Sequence, residues 1–359
     1  MQQPTSPSRL RLLRFVTLVC LLFSDGTYSI LRRYSRGILH EIYSVNEVLL
    51  AGEFIKLLFS CFMLWSVTDA GGGDDQRKSL NLAHLSKLLL HSKKMLILAL
   101  LYSVGNVMSY YSLARIGAGT FVVVANLKTL TTAFFSTLML GNRYSWTQWR
   151  ALILLVVGVV LFVLPTLKDS GTENDRVALS KSDLVLGVAA EMIVITLSGY
   201  ASIFFEKAIK HDPFDIWERN IQLGFYSILT YITLISFEHN VHFSNWTPVA
   251  FALSFLGAAG GLLVALSIMY GDSVLKTLAI SGSIIYASVV DHICLGGPMN
   301  QQMGLSAIVV VIAVLNYNFD ATPADSPEKT IERGEGDPTY PPEKATENGD
   351  AEMQPNPCI

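Results

Sequence analysis

Charge is scarce in this sequence: 15% of its 359 residues are Asp, Glu, Lys or Arg, against 51% hydrophobic. That balance excludes a soluble domain, and the length exceeds what one membrane anchor needs, so the chain reads as a polytopic helical membrane protein. Cysteine is equally sparse. Cys20, Cys61, Cys294 and Cys358 show no CxxC or metal-ligand spacing and read as packing residues or free thiols, so no metal or cofactor is expected. Cys358 is penultimate rather than fourth from the end, which leaves out prenylation. The different-class alternative is an intramembrane enzyme, but the apolar spans hold no Ser–His dyad and no clustered histidines, and Gly271-Asp272 matches a Gly-x-Gly-Asp protease motif only superficially, so an enzyme is not expected. No basic block points to a nucleic-acid partner.

What is present is a series of apolar stretches of helix length, at 13–31, 44–68, 95–114, 118–140, 148–166, 184–205, 220–237, 248–270, 273–295 and 301–318. They predict an all-α membrane protein of ten transmembrane helices. Turn chemistry separates them at Gly71-Gly72-Gly73-Asp74-Asp75, Gly141-Asn142, Asp169-Ser170-Gly171, Gly271-Asp272 and Gly296-Gly297-Pro298. Arg9, Arg11 and Arg14 ahead of an apolar run imitate a signal peptide, but no clear small-residue cleavage site follows and an uncleaved first helix is expected. With the N-terminus in the cytosol, thirteen loop lysines and arginines fall on the cytosolic side and seven opposite, which predicts both termini cytosolic. Residues 320–359 carry ten acidic side chains against Lys329, Arg333 and Lys344, lack apolar periodicity, and read as a disordered cytosolic tail. Asn245-Trp246-Thr247 matches a glycosylation sequon on the opposite side, next to Pro248 and the membrane, and is expected to be unused.

Lys128 stands in the middle of the apolar run 118–140. Ten residues at about 1.5 Å each place it roughly 15 Å deep, near the midplane of a core about 30 Å thick. A lysine there costs about 3 kcal/mol, so it meets either a negative group in a protein-lined cavity or a carboxylate on a neighbouring helix. Leu127-Lys128-Thr129-Leu130 recurs as Leu275-Lys276-Thr277-Leu278, and Gly26-x-x-Ser29-Ile30 as Gly199-x-x-Ser202-Ile203. These echoes divide the spans into two fives. Five being odd, the halves enter the membrane from opposite sides, an inverted repeat of the kind that builds secondary transporters. The expected segments are a cytosolic N-terminus (1–12), a first five-helix repeat (13–166), a lumenal linker (167–183), a second repeat (184–319) and the tail (320–359).

Lys128 and Lys276 together suit a phosphate or diphosphate as point charges. Tyr102, Asn106, Tyr110, Tyr111, Asn126, Asn220 and Gln222 offer groups for ribose, base or sugar hydroxyls, and Tyr102, Asn106 and Tyr110 share one helix face at i, i+4 and i+8. Interhelical hydrogen bonding is the alternative use for all of them. Glu53 and Lys56, three apart, can satisfy each other. Asp25 and Glu191 are lone carboxylates, able either to couple protons or to bond a neighbouring Ser, Tyr or Lys.

On these residues the chain resembles the nucleotide-sugar transporters of the Golgi and ER, in the branch with the CMP-sialic acid, UDP-galactose and UDP-N-acetylglucosamine carriers. The resemblance is carried by Glu53-Phe54-Ile55-Lys56-Leu57, Tyr102-Ser103-Val104-Gly105-Asn106, Asn126-Leu127-Lys128, Phe205-Glu206-Lys207, Trp217-Glu218-Arg219-Asn220-Ile221-Gln222 and Tyr270-Gly271-Asp272-Ser273-Val274-Leu275-Lys276, across about 12–320. It implies the ten-helix drug/metabolite transporter fold, a multi-pass Golgi or ER membrane location, and exchange of a cytosolic nucleotide sugar for a lumenal nucleoside monophosphate, and it leaves a homo-oligomer open. It also implies that Lys128 and Lys276 meet phosphate and that Tyr102, Asn106 and Asn220 contact nucleotide or sugar. A Tyr-Gln-x-x-Tyr-Gln-Leu-Lys pattern common in the family reads Phe121-Val122-Val123-Val124-Ala125-Asn126-Leu127-Lys128 here, and Met269 replaces a further lysine, so base and sugar are not legible. The competing expectations are another drug/metabolite-type carrier, proton-coupled through Asp25 or Glu191, and a non-transporting scaffold that would tolerate loss of Lys128.

Overall fold

Local chemistry sets several of the helix ends. Ser145 and Gln148 form a reciprocal capping box, each side chain accepting from the other's backbone N–H at 3.1 and 3.0 Å. Asp215 and Glu218 form a second. Thr247 caps the helix that opens with Pro248, Asp272 caps the next through Leu275 N–H at 2.7 Å, and Asn300 caps the last through Met303 N–H at 3.0 Å. At the other ends, Gly141 (φ 71°) and Gly296 (φ 67°) take the left-handed conformation that stops a helix and that side chains resist.

The computed structural model describes residues 7–70, 88–113, 115–116, 121, 124–169, 181–237, 246–297 and 299–319. Among them are ten long α-helices: α1 (Pro7–Arg33), α2 (Val45–Ala70), α3 (Lys93–Leu113), α4 (Lys128–Leu140), α5 (Trp146–Asp169), α6 (Lys181–His211), α7 (Ile216–Ser236), α8 (Pro248–Tyr270), α9 (Ser273–Leu295) and α10 (Gln301–Phe319). A short π-helical turn, Tyr34–Ile38, follows α1. Among the described residues six helices, α2, α5, α6, α8, α9 and α10, hold a stretch long and apolar enough to cross a membrane. The protein is thus an all-helical, multi-pass membrane protein. The turns expected at Gly71–Asp75 and Gly171, the Asn245 sequon and the acidic tail lie outside the described residues.

The most extensive packing joins α5 to α10 and α2 to α7, with α3 against α6, α1 against α8 and α9, α4 against α6, and α2 against α8. One core gathers Met95, Leu98, Phe205, Trp217, Ile221, Leu262 and Ile268, and a second gathers Ala133, Leu152, Leu155, Val274, Leu278, Val310 and Tyr317. Outward-facing Phe54, Phe62, Trp65, Phe251 and Phe255 remain exposed, as lipid-facing side chains should.

Two expectations need correction. The run 118–140 is not one regular helix centred on Lys128. Leu127 is a turn, with i to i−3 bonds from Leu127 N–H to Val124 O and from Leu130 N–H to Leu127 O, both 3.0 Å, and the regular helix begins at Lys128. Such tightening inside a span is common at functional sites. The sixth helix does not stop at 205 but runs to His211, because Lys210 reaches back to Glu206 at 2.6 Å across one turn.

Candidate functional site

The second lysine, Lys276, sits in the first turns of α9, buried at 5% exposure, and donates to Ser202 Oγ of α6 at 2.9 Å. Several bonds fix α9 there. Ser273 Oγ donates to Ser202 O at 3.1 Å, and Ser273 N–H donates to Glu206 Oε2 at 2.9 Å. Glu206 is thereby a carboxylate at a helix N-terminus, where the dipole favours it. Its other oxygen accepts from Lys210 Nζ, which also donates to Gly271 O at 2.7 Å. Burial raises the carboxyl pKa of Asp272, and the Leu275 N–H opposes the shift. In the nearby α4–α5 connection Tyr144 donates to Ser136 Oγ at 2.8 Å, and burial pushes its phenol up to about 12.

Lys128 opens α4, which packs on the same flank of α6. The α4 helix it opens lies close to α6: Thr131 Oγ1 donates to Ile195 O at 3.0 Å, and a Cβ on Gly199 would stand 2.7 Å from Thr131 Oγ1 and 3.0 Å from its backbone carbon. The face Gly199-x-x-Ser202 therefore meets α4 through its glycine and Lys276 through its serine. Lys128 is near enough for its charge to act on Lys276, with Glu206 as an opposing charge. Two cations thus share one interior region, and Glu206 already serves Lys210 and the α9 N-terminus.

Lys128 is half-buried, and Tyr102 of α3 keeps 37% of its surface open. Asn126, two residues before Lys128, is half-buried. Asn106 and Tyr110 lie on α3, but their side chains are outside the described residues.

The remaining expected residues are engaged elsewhere. Asn220 Nδ2 donates to Ile216 O at 3.0 Å. Gln222 accepts from Arg219 Nη1 at 2.8 Å and donates to Leu88 O at 2.7 Å, within a cluster completed by Asp212 and Lys94. Lys56 Nζ holds Glu53 at 2.6–2.7 Å, its stem lying against Gly261 of α8 while Glu53 faces Gly224 of α7. Asp25 accepts from Ser283 Oγ. Glu191 is buried at 2% exposure beside Ser112, with Oε2 lacking a hydrogen-bond partner. Sequence reasoning named Ser202 only within the Gly-x-x-Ser echo and Glu206 and Ser273 only as part of a resemblance, and gave Lys210 no role at the site. The available signal was the Gly-x-x-Ser echo together with the carboxylate one turn beyond it.

A multi-pass helical bundle with two lysines in its interior has the chemistry of a membrane carrier, and the comparisons with known proteins agree. The nucleotide-sugar transporter family matches residues 9–318, and the chain belongs to that family. It is similar to a UDP-N-acetylglucosamine transporter of Rattus norvegicus, 30% identical over 88% of this chain and 98% of the relative. A UDP-N-acetylglucosamine/UDP-N-acetylgalactosamine transporter of Caenorhabditis elegans is 29% identical over 88% of this chain and 96% of its own length. A UDP-galactose translocator of Bos taurus is 28% identical over 98% and 91%. A solved crystal structure aligns with a TM-score of 0.59 at 15% identity, over 88% of this chain and 99% of its own, a likeness that speaks to the fold alone.

Proposed function

We propose that the protein is an antiporter that brings a nucleotide sugar from the cytosol into the Golgi or ER lumen and returns the nucleoside monophosphate. The observation that carries this reading is the convergence of Lys128 and Lys276 on one face of α6, in a family of nucleotide-sugar transporters. Interior lysines without a dedicated carboxylate are costly unless an anion visits, and a diphosphate is such an anion. Tyr102 and Asn126 line the approach; Asn106 would share the Tyr102 face. Named relatives carry UDP sugars, which favours a uridine nucleotide over CMP.

The ten helices act as two inverted fives. Exchanging each helix for the one five places away turns α3–α6 into α8–α1, α4–α6 into α9–α1 and α3–α7 into α8–α2, while α2–α7 and α5–α10 map onto themselves, and every one of these pairs is packed. Gly26 and Gly199 occupy matching places, packed on α9 and α4 respectively. This supports a substrate path between the halves, at the helices that carry the lysines.

Uptake of labelled nucleotide sugars into proteoliposomes preloaded with UMP, CMP or GMP tests the reading. The expected result is acceleration by preloaded UMP and indifference to a pH gradient. A second reading, proton coupling, is favoured by the unpartnered oxygen of buried Glu191. Gradient-driven uptake that Glu191→Gln abolishes would replace exchange with that reading.

A further inference from the structure

Where α3 begins and α6 ends, a cavity of about 550 Å³ is lined by Leu90, His91, Lys93, Lys94, Asp212, Pro213, Phe214 and Arg219. Its lining carries three permanent cations to one carboxylate. Asp212 is shared between Lys94 at 2.6 Å and Arg219, so it balances neither fully. Arg219 is 1% exposed, stacked 4.6 Å over Phe214, and its Nε–H has no hydrogen-bond partner. Lys93 and Lys94 occupy the first turn of α3, which has no acidic residue, so lysine charge adds to the positive end of the helix dipole there. Three cations around a cavity with one shared carboxylate in its lining, two of them at a helix N-terminus, suit a phosphate.

The surroundings say what kind of phosphate. Leu90 stands 74% exposed at the rim, and from exposed Lys93 an apolar strip descends α3 through Ile97 (48%), Leu100 (57%) and Val104 (50%), spaced four, seven and eleven residues on, so on one helix face. A basic pocket at the head of a lipid-facing apolar strip matches a molecule with an anionic head and acyl chains. We propose that this cavity binds the headgroup phosphate of an anionic phospholipid, with its chains laid along the Ile97–Leu100–Val104 face.

The purified full-length protein, titrated by thermal unfolding with short-chain phosphatidylinositol 4-phosphate, phosphatidylcholine of equal chain length, and inorganic phosphate, tests this. The expected result is saturable stabilisation by the phosphoinositide and little by phosphatidylcholine. Lys93→Gln/Lys94→Gln should weaken the phosphoinositide response by about tenfold or more, and Arg150→Gln, at the exposed start of α5, should leave it intact. Lys93→Gln alone, at an exposed position, serves where the double variant is unstable. An equal response to phosphatidylcholine, or full retention of the response in the lysine variants, would overturn the proposal. Inorganic phosphate reproducing the whole effect would assign the cavity to a soluble anion and overturn the lipid assignment.

Discussion

Buried charge in this protein is met in two ways. Lys56 and Glu53 neutralise each other inside the α2–α7–α8 contact, with Gly261 and Gly224 giving them room. Lys276 instead rests on a neutral hydroxyl, Ser202 Oγ. Removing one member of a buried pair strands the other, so Lys56→Met should lower stability by about 3–5 kcal/mol, while Glu53→Gln/Lys56→Met should recover much of it. Thermal unfolding of the three proteins in detergent checks this; a double variant no better than the single one would show that the pair does more than satisfy itself. Both lysines were legible in the sequence because an ionisable residue in an apolar run stands out without any structure. Their neighbours Ser202, Glu206 and Ser273 were not, since their roles arise from contacts between residues about 70 positions apart. Asn220 and Gln222 read as ligand groups, yet their described bonds run to Ile216, Arg219 and Leu88, because a polar side chain in a span looks the same whether it faces a substrate or a carbonyl.

At the scale of elements, the α4–α6 contact holds the two lysines in register. Gly199 permits that approach, and Gly199→Ala should force Thr131 back, disturb its bond to Ile195 O and cost about 1–3 kcal/mol. A Cβ on Gly105 would meet nothing within 4 Å, so Gly105→Ala should be neutral or mildly stabilising. Equal melting temperatures for the two variants would remove the argument for close packing at Gly199. Helix ends were well read wherever a capping residue or glycine set them locally: α8 and α9 coincide with the expected 248–270 and 273–295. Hydropathy failed where helices outrun their apolar portion. It ended the sixth helix before Glu206, Lys207 and Lys210, which stay helical, and it smoothed over the turn at Leu127, whose immediate neighbourhood is largely apolar.

For the whole molecule, the most extensively packed helix pairs map onto packed pairs under a five-helix shift, a pattern that supports the proposed inverted repeat. The proposed direction of transport rests on the expectation, from the loop-charge bias, that both termini are cytosolic. A tag on the tail should therefore bind antibody in cells permeabilised only at the plasma membrane; detection solely after lumenal membranes are opened would invert the orientation and with it the direction of transport. The central claim is that Lys128 and Lys276 receive the phosphate of the nucleotide, and the most direct measurement is titration of folded Lys128→Gln and Lys276→Gln proteins with UMP and with uridine, read by thermal unfolding. Losing one charge-assisted bond to phosphate costs about 1.5–3 kcal/mol, so each variant should bind UMP roughly ten- to more than a hundredfold more weakly while its response to uridine is unchanged. Folded variants that UMP stabilises as fully as the native protein would contradict the account.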